Sequence, residues 1–400
     1  MAKAVYLGVG GTAHKVRKAY IGVGGAARKV KKIYIGVGGQ ARLCYAEGME
    51  YIGKTANGLY TAKYDLAAAS VGNYAIFAGG HTSGVNGGAY DKNVDAFDGS
   101  LTRTFADDLS YGKYGLAATT VGSWAVFAGG VGYYNNGSNV EAYNSSLTRT
   151  TAESLSNTTV CWPGATTIAY NGHSFALFAG GGQTADNSSA GDSYKVDCYN
   201  TNLTKFTVAN LTRRRRKLAA ETVGGYALFA GGGYTDSDHD FVELNSVEVY
   251  DVYQTKRDNV QPSWRKSQIA SAHVGDYAIF VSPDATDKAN CFNSSLTRTL
   301  VDGLYYGCDW PAGVSTGEYA LFNERDQASI DDSAWVQLTG YNASLTRTYV
   351  TGMSGTGANR IYTDAKTQAA MATVGGYVLL GGGTDIYTKQ PTSDVYAFSI

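Results

Sequence analysis

A short apolar segment that begins with an aromatic residue and is followed by two glycines recurs along most of this chain. Four full copies and three shortened ones begin at Tyr74, Trp124, Phe175, Tyr226, Tyr277, Tyr319 and Tyr377. The spacing averages roughly 50 residues, and segments this short and this rich in Phe, Ile and Val are typical of β-strands. The pattern therefore predicts an all-β architecture of seven repeated units.

Each unit contains further apolar segments separated by turn residues. In the second unit the predicted strands cover 115–121, 124–128, 139–143 and 147–155. Strands joined by short connections pair antiparallel, so each unit is predicted to be a four-stranded meander. A meander that repeats seven times and buries its faces only against its neighbours indicates a seven-bladed β-propeller.

The two ends of the repeat region independently indicate a closed ring. The last unit stops at 393–400, which matches only a third strand. Residues 51–59 align with 101–109, the predicted fourth strand of the first unit, and are expected to complete the last blade. Closure by an N-terminal strand removes two exposed sheet edges. We therefore expect one propeller over 50–400.

Composition agrees with many short strands and narrows the class of protein. The chain has 51 Gly and 31 Tyr but only 5 Pro. Its five cysteines are an odd number, and Cys198 and Cys291 occupy a position that other units fill with a small residue, so we expect buried thiols and no disulfide framework. No apolar run suggests a membrane span or a secretory signal, so synthesis in the cytoplasm is expected.

The repeats resemble the kelch family of propellers over residues 50–400. The resemblance lies in the double glycine after the second strand with an aromatic residue in the third, as in Gly129-Gly130 with Tyr143. The chain departs from the family in two ways: Thr-Arg-Thr replaces the usual Trp of the fourth strand, and two units replace the glycine pair with Val281-Ser282 and Asn323-Glu324. The resemblance implies a propeller that binds proteins or glycans.

Residues 1–46 follow a different repeat. Tyr6, Tyr20 and Tyr34 each begin the sequence Tyr-(Leu/Ile)-Gly-Val-Gly-Gly, 14 residues apart, and basic residues such as Arg28 and Lys29 follow. Apolar residues on both sides of a Gly pair predict β-hairpins. This segment contains nine Lys or Arg and no acid. It resembles N-terminal segments of bacteriophage tail and baseplate proteins, which implies an attachment and oligomerisation arm.

A meander places its connections at two ends of the ring. The turns between strands one and two and between strands three and four lie at one end, here called the turn end. These turns are predicted to be short and alike, as in Gly72-Asn73, Gly172-His173 and the identical heptapeptides NSSLTRT at 144–150 and 293–299. Asn and Ser suit such turns because they bond their own backbone. We therefore interpret the heptapeptide as scaffold.

The connections between strands two and three and the crossings between blades lie at the other end, here called the loop end. They vary in length and sequence, and varied loops on a uniform scaffold are where binding sites usually lie. Aromatic rings that stack on a sugar or a protein surface are the expected binding groups. The candidate receptor-binding residues are Tyr133, Tyr134, Trp162, Tyr234, Trp264, Trp310, Trp335 and Tyr387.

The sequence offers little for catalysis or metal binding. Its five His follow no metal spacing and no Gly-x-Ser-x-Gly occurs, so no enzyme, cofactor or metal site is predicted. Acid pairs such as Asp236 with Asp238, or Asp331 with Asp332, leave glycan cleavage as an alternative. The arginine run at 213–216 is interpreted as solvated, with an anionic polymer as its alternative ligand. The basic arm lacks interleaved aromatic residues, so nucleic acid binding is not expected.

These features together predict a virion tail fibre or baseplate protein, made in the host cytoplasm and released by lysis. The propeller loops are expected to bind a host surface receptor, with a glycan as the expected class. Residues 1–46 are expected to contact other tail or baseplate proteins, and a homo-oligomer is expected. The alternatives are a structural tail or baseplate subunit that contacts other virion proteins, and a polysaccharide-degrading enzyme.

Overall fold

The chain folds entirely into β-strands and turns over the residues that the computed structural model describes. These residues are 6–9, 12–15, 19–23, 26–30, 32–37, 40–46, 49–82, 89–132, 137–158, 160–182, 191–253, 255–325, 336–350, 366–385 and 390–400. Within them no helix is long and apolar enough to span a bilayer. The chain divides into two compact units, residues 1–50 with Ile400 and residues 51–399.

The first unit contains three antiparallel hairpins. Their strand pairs are Tyr6–Val9 with Thr12–Lys15, Ala19–Val23 with Ala26–Val30, and Lys32–Val37 with Gln40–Ala46. The prediction of a β-hairpin arm is confirmed, because each Gly-Gly pair lies between two paired strands. The side chains of Tyr6, Tyr20, Arg28, Lys29 and Tyr34 lie outside what the structure describes.

The second unit is a seven-bladed propeller, as predicted, and every blade is a four-stranded antiparallel sheet. Blade 1 consists of Ala67–Val71, Tyr74–Ala78, Val94–Asp98 and Arg103–Phe105. Blade 2 consists of Tyr114–Val121, Trp124–Val131, Val140–Tyr143 and Arg149–Ala152. Blade 3 consists of Gly164–Tyr170, His173–Ala179, Val196–Asn200 and Lys205–Thr207.

The remaining blades follow the same order. Blade 4 consists of Ala219–Val223, Tyr226–Ala230, Val247–Asp251 and Lys256–Val260, with an added hairpin of Gly233–Thr235 and Phe241–Glu243. Blade 5 consists of Ala270–Val274, Tyr277–Val281, Ala289–Asn293 and Arg298–Val301. Blade 6 consists of Gly313–Ser315, Tyr319–Arg325, Val336–Asn342 and Arg347–Tyr349.

Blade 7 closes the ring. Its strands are Ala370–Val374, Tyr377–Gly381, Val395–Ser399 and, from the start of the propeller, Glu50–Lys54; a short added pair joins Lys366–Thr367 to Thr384–Asp385. The Thr55 N–H donates to the Val395 carbonyl at 2.9 Å. The predicted closure is therefore confirmed, although the closing strand is shorter than 51–59.

The core lies between blades, and the first strands surround a central channel. Buried Phe and Tyr rings of the second and third strands meet edge to edge or edge to face, as Phe127 and Tyr143 do at 5.7 Å between centroids. Cys198 and Cys291 are buried free thiols in this core, as expected. Small Ala, Ser and Thr side chains line the channel, whose cavity is about 630 Å³. Such residues leave the axis open because they are short.

Contacts between neighbouring blades explain the likeness of the turns. The Asn144 side-chain oxygen accepts the N–H groups of Ser146 and Thr148, at 2.9 and 3.1 Å, and Asn200, Asn293 and Asn342 do the same in their blades. A Cβ at Gly72 would lie 2.8 Å from the Cβ of Ser145 in the next blade. The heptapeptide therefore forms a turn against which a glycine of the neighbouring blade packs.

Blade 3 corrects the prediction that all turns of this end are short and alike. Its first hairpin continues to the pair Tyr170 and His173, and the turn is Asn171-Gly172 rather than Gly172-His173. Both turn residues have positive φ, which Asn and Gly adopt most readily. The hairpin therefore projects beyond its counterparts, which end at pairs such as Val71 and Tyr74.

Buried ion pairs support the crossings at the loop end. Lys63 lies 3.0 and 3.2 Å from the carboxylates of Asp91 and Asp95, and all three side chains are almost fully buried. In blade 2 the Lys113 ammonium lies 2.7 Å from Glu141. Several described crossings also donate backbone N–H groups to buried acids, as Ser110 does to Glu141 at 2.6 Å. In blades 1 and 2 these contacts hold the crossing against the blade that it enters.

The same network corrects the interpretation of the arginine run. Arg215 is fully buried, lies 2.7 Å from Glu248, and donates to the Gly231 carbonyl at 3.0 Å. Arg216 is also buried and lies 2.6 Å from Asp192. Half of the run is therefore neither solvated nor available to a polymer, because Arg215 takes the place that Lys63 and Lys113 hold in blades 1 and 2 and Arg216 pairs with Asp192.

Candidate functional site

One residue per blade has a left-handed backbone at the loop-end mouth of the channel. It stands just before or at the start of the first strand, and its φ lies between 53° and 66°. These residues are Asp65, Gly115, Trp162, Lys217, Gln268, Trp310 and Gln368. A bulky residue held in this conformation costs about 1–2 kcal/mol, so the fold must enforce it.

Backbone hydrogen bonds between blades enforce this conformation. The N–H of Trp162 donates to the carbonyl of Gly115 at 2.8 Å, and the N–H of Lys217 donates to the carbonyl of Trp162 at 3.0 Å. Asp65, Gly115 and Gln268 bond the preceding blade in the same way, at 2.9 to 3.1 Å. The result is a belt of hydrogen bonds that runs from Gln368 of blade 7 to Gln268 of blade 5 and fixes where the side chains along it begin.

Two predicted tryptophans meet at the axis. Trp162 of blade 3 and Trp310 of blade 6 have ring centroids 5.4 Å apart, although 148 positions separate them in the chain. The Lys217 ammonium lies 5.1 and 5.0 Å from these two centroids and 5.4 Å from that of Phe241. Three rings around one ammonium make a cation–π cluster. We call Trp162, Lys217, Phe241 and Trp310 the axial cluster.

A row of aromatic rings continues from the axial cluster toward blade 1. The Tyr114 centroid lies 6.0 Å from that of Trp162, and the rings of Tyr114 and Tyr90 stack at 5.4 Å with 13° between their planes. His81 lies 5.5 Å from Tyr90 and 5.1 Å from Tyr64. The row provides several flat apolar faces at the loop end.

Polar groups stand beside these rings. The Gln368 amide donates to a carboxylate oxygen of Asp65 at 3.0 Å. Burial raises the pKa of Asp65 to about 7, against the opposing influence of the Gln368 hydrogen bond and the Lys217 ammonium. Burial, and then the charge of Arg216, lower the pKa of Lys217. The Trp162 indole N–H is buried and has no hydrogen-bond partner among the described residues.

The remaining candidate residues divide into three groups. Trp264 is 7% exposed and packs in the core of blades 4 and 5, where its indole N–H bonds the Lys288 carbonyl, so it is left out of the site. Tyr234 lies on the added hairpin of blade 4, with the Arg214 guanidinium 5.6 Å from its ring. The others, Tyr133, Tyr134, Trp335 and Tyr387, lie outside the described residues.

One of the two acid pairs considered for catalysis lies in a turn of the described residues, and the other lies outside them. The Asp236 carboxylate accepts the N–H groups of Asp238 and Asp240, both at 3.0 Å, which is the same turn arrangement as that of Asn144. Asp331 and Asp332 lie outside the described residues. Within the described ranges no group of three His, Cys, Asp or Glu side chains is placed to hold a metal ion.

Three members of the site did not follow from composition or motif. Lys217 stands next to the arginine run and was not singled out, and Asp65 and Phe241 carried no motif. The signal for Asp65 and Lys217 lies in the alignment of the crossings, because they occupy the same position as Trp310 in their units, each directly before an apolar or Pro residue. Aligning the crossings at this position predicts that these residues lie near one another around the axis.

The chain matches no protein-family model and no curated protein sequence. Function must therefore be inferred from the geometry of the loop end. What the geometry offers is a set of aromatic faces with an amide, a carboxyl and an ammonium group beside them.

Proposed function

We propose that the chain is a bacteriophage tail fibre or baseplate protein whose kelch-like propeller binds a glycan on the host cell surface. The observation that carries this proposal is the meeting of Trp162 and Trp310 on the axis, beside Asp65 and Gln368. Aromatic faces stack on the apolar faces of sugar rings, while amide and carboxyl groups bond hydroxyls. The belt of hydrogen bonds holds Trp162, Asp65 and Gln368 in place before a ligand arrives, which lowers the cost of binding.

The proposal assigns attachment to residues 1–46. A two-stranded hairpin is marginally stable by itself, so each hairpin is expected to be completed by another tail or baseplate protein or by another copy of this chain. The excess of basic residues suits an acidic partner surface. Several copies on one virion would combine weak glycan contacts into firm adsorption.

The test is binding of the full chain to bacterial cells and to their purified envelope polysaccharides. Wild-type protein is expected to bind cells of the host and to block adsorption of the particle. Trp162→Ala and Trp310→Ala are each expected to weaken binding about thirtyfold, the effect of an interface hot spot of about 2 kcal/mol. Far-ultraviolet circular dichroism and the melting temperature establish that each variant is folded.

The matched control changes two exposed aromatic residues at the turn end. Tyr170 and Tyr253 are 48% and 69% exposed. The double variant Tyr170→Ala/Tyr253→Ala removes a similar amount of aromatic surface and should bind cells like wild type. Equal losses in the axial and control variants would contradict a glycan site at the mouth.

A structural tail or baseplate subunit is the second candidate, and an exposed aromatic group at the turn end favours it. His173 stacks on Phe175 with 8° between the ring planes, and Tyr253 and Phe206 extend the group. Exposed aromatic groups of this kind are typical of protein interfaces. If the control variant fails to assemble into particles while the axial variants assemble normally, the turn end is a contact with another virion protein.

A further inference from the structure

A second depression lies at the loop end between blades 5 and 6. Its cavity is about 460 Å³, within the range of roughly 300–1,000 Å³ typical of small-molecule sites. One wall is the connection between strands two and three of blade 5, at Pro283–Ala285, and the other is the crossing into blade 6, at 305–309. The blade 5 connection is short, running only from Val281 to Ala289, which leaves this space open.

The two walls are held firmly against each other. The Cys308 N–H donates to the Pro283 carbonyl at 2.9 Å, and a Cβ at Gly307 would lie 2.7 Å from the same oxygen. The Tyr305 N–H donates to Glu324 at 2.8 Å, and the Arg347 guanidinium carbon lies 3.4 Å from the Tyr305 ring centroid. These bonds hold the two walls together, and the Arg347 guanidinium already covers one face of the Tyr305 ring.

The lining combines aromatic rings with carboxylates. Tyr305 and Tyr306 lie on one wall, and Asp284 and Asp309 lie on opposite sides. No Lys or Arg occurs among the described residues that line the cleft. The Asp284 carboxylate accepts the N–H and hydroxyl of Thr286, at 3.0 and 2.8 Å, which lower its pKa and keep it ionised. Its other oxygen is 3.8 Å from the Lys266 ammonium.

This lining suits a ligand that has an apolar ring face and a positive charge. An ammonium group gains from a nearby aromatic face and from a charge-assisted hydrogen bond to a carboxylate. A ligand carboxylate or phosphate would instead meet like charge. A sugar ring stacks on tyrosine through its C–H face.

The geometry points to this cleft as a second carbohydrate subsite that takes an amino sugar with a free ammonium group. The sugar class rests on the proposed function, whereas the preference for positive charge rests on the cleft alone. The subsite is distinct from the axial cluster because the two share no residue, although Asp309 of the cleft directly precedes Trp310 in the chain.

Titration of the full chain with the glucosamine trimer, followed calorimetrically, tests the inference. The fully N-acetylated trimer is the neutral control with the same ring skeleton. We expect the glucosamine trimer to bind at least about tenfold more tightly, because acetylation removes the charge-assisted hydrogen bond. Asp284→Asn and Tyr306→Ala should each weaken its binding about tenfold. Asp276→Asn, which makes the same change of net charge at the turn end, should leave it unchanged.

Three results would overturn the inference: equal binding of both trimers, unchanged binding by Asp284→Asn, or an equal loss in Asp276→Asn. Trp162→Ala separates this subsite from the proposed function. We expect that variant to lose adhesion to cells and to keep its affinity for the glucosamine trimer. If wild type fails to bind cells but shows the trimer preference, the proposed function fails and the charge preference of the cleft stands.

Discussion

The two ends of the propeller are built from different kinds of contact. At the turn end, the glycine of one blade packs against the turn of the next in most blades, so those turns share one shape. At the loop end, buried ion pairs such as Lys63 with Asp91 and Asp95 hold crossings from beneath. Side chains above those pairs are then free to differ. Identical sequences in successive blades therefore indicate packing between blades, whereas a binding site is expected at the loop end, where the sequences of the blades differ.

The first and largest test removes the support of the loop end. Lys63→Met leaves two buried carboxylates close together without their cation, so we expect the free energy of unfolding to fall by about 3–5 kcal/mol. Thermal and chemical denaturation measure the loss. Lys288→Met is the control, because the Lys288 and Asp302 side chains are mostly exposed and their pair contributes less than about 1 kcal/mol. Equal losses would show that the crossings do not depend on buried charge.

The second test compares two glycines of the turn end. Gly72→Ala places a Cβ 2.8 Å from Ser145 on a backbone with φ of 54°, and we expect a loss of about 2–4 kcal/mol from clash and strain together. Gly172→Ala has φ of 79° but no atom within 4 Å, so strain alone of about 1–2 kcal/mol is expected. The difference in melting temperature measures the contact between blades. If both variants lose the same stability, the contact does not constrain the turn.

The third test uses pH at the mouth of the channel. Folding raises the pKa of Asp65 from 3.8 to about 7, so the native state holds a proton that the unfolded chain releases. Stability is therefore expected to fall as pH rises from about 4 to about 7, by on the order of 4 kcal/mol for this group, and then to level off.

Asp65→Asn should remove that contribution. Its melting temperature is expected to change less between pH 5 and pH 8 than that of wild type. Glu324, whose pKa burial also raises to about 7, contributes with the same sign in both proteins and cancels in the comparison. Identical pH profiles for variant and wild type would rule out a buried Asp65 carboxyl.

The smallest expected effect concerns a single heptapeptide. Asn144→Ala removes the acceptor of two backbone N–H groups and should cost about 1 kcal/mol. Asn144→Asp should cost almost nothing, because Asp98 and Asp251 accept equivalent bonds in blades 1 and 4. Neither change should alter cell binding. A binding defect in Asn144→Ala with normal stability would reverse the assignment of the heptapeptide to scaffold.

Much of the scaffold could be predicted because the repeated segments mark the same strand in every blade. The aromatic segments beginning at Tyr74 and Trp124 predict second strands, and the observed strands begin at those residues. Closure could be predicted because the last unit lacks a fourth strand and the segment before the first unit aligns with one. The longer hairpin of blade 3 was not predicted, since Gly172 aligned with turn glycines of other blades although Asn171-Gly172 makes the turn.

The site was harder to predict because it depends on distances across the ring. Trp162 and Trp310 were singled out as separate aromatic residues, but only the closed ring of seven blades brings them to one point. Trp264 resembles Trp162 and Trp310 in its sequence context. It is buried, however, because its crossing directs the indole ring into the core. Arg215 and Arg216 looked like surface charge, and only the acids of distant strands reveal them as buried partners.

Hydrogen exchange of the full chain, with and without the envelope polysaccharide that it binds, tests most directly which end recognises the receptor. We expect slower exchange on binding in peptides that cover 160–165, 214–218 and 305–312, which contain Trp162, Lys217 and Trp310. No change is expected in peptides that cover the turns at 122–123, 171–172 and 224–225. Protection confined to the turn peptides, with none around the axial cluster, would contradict receptor binding at the loop end.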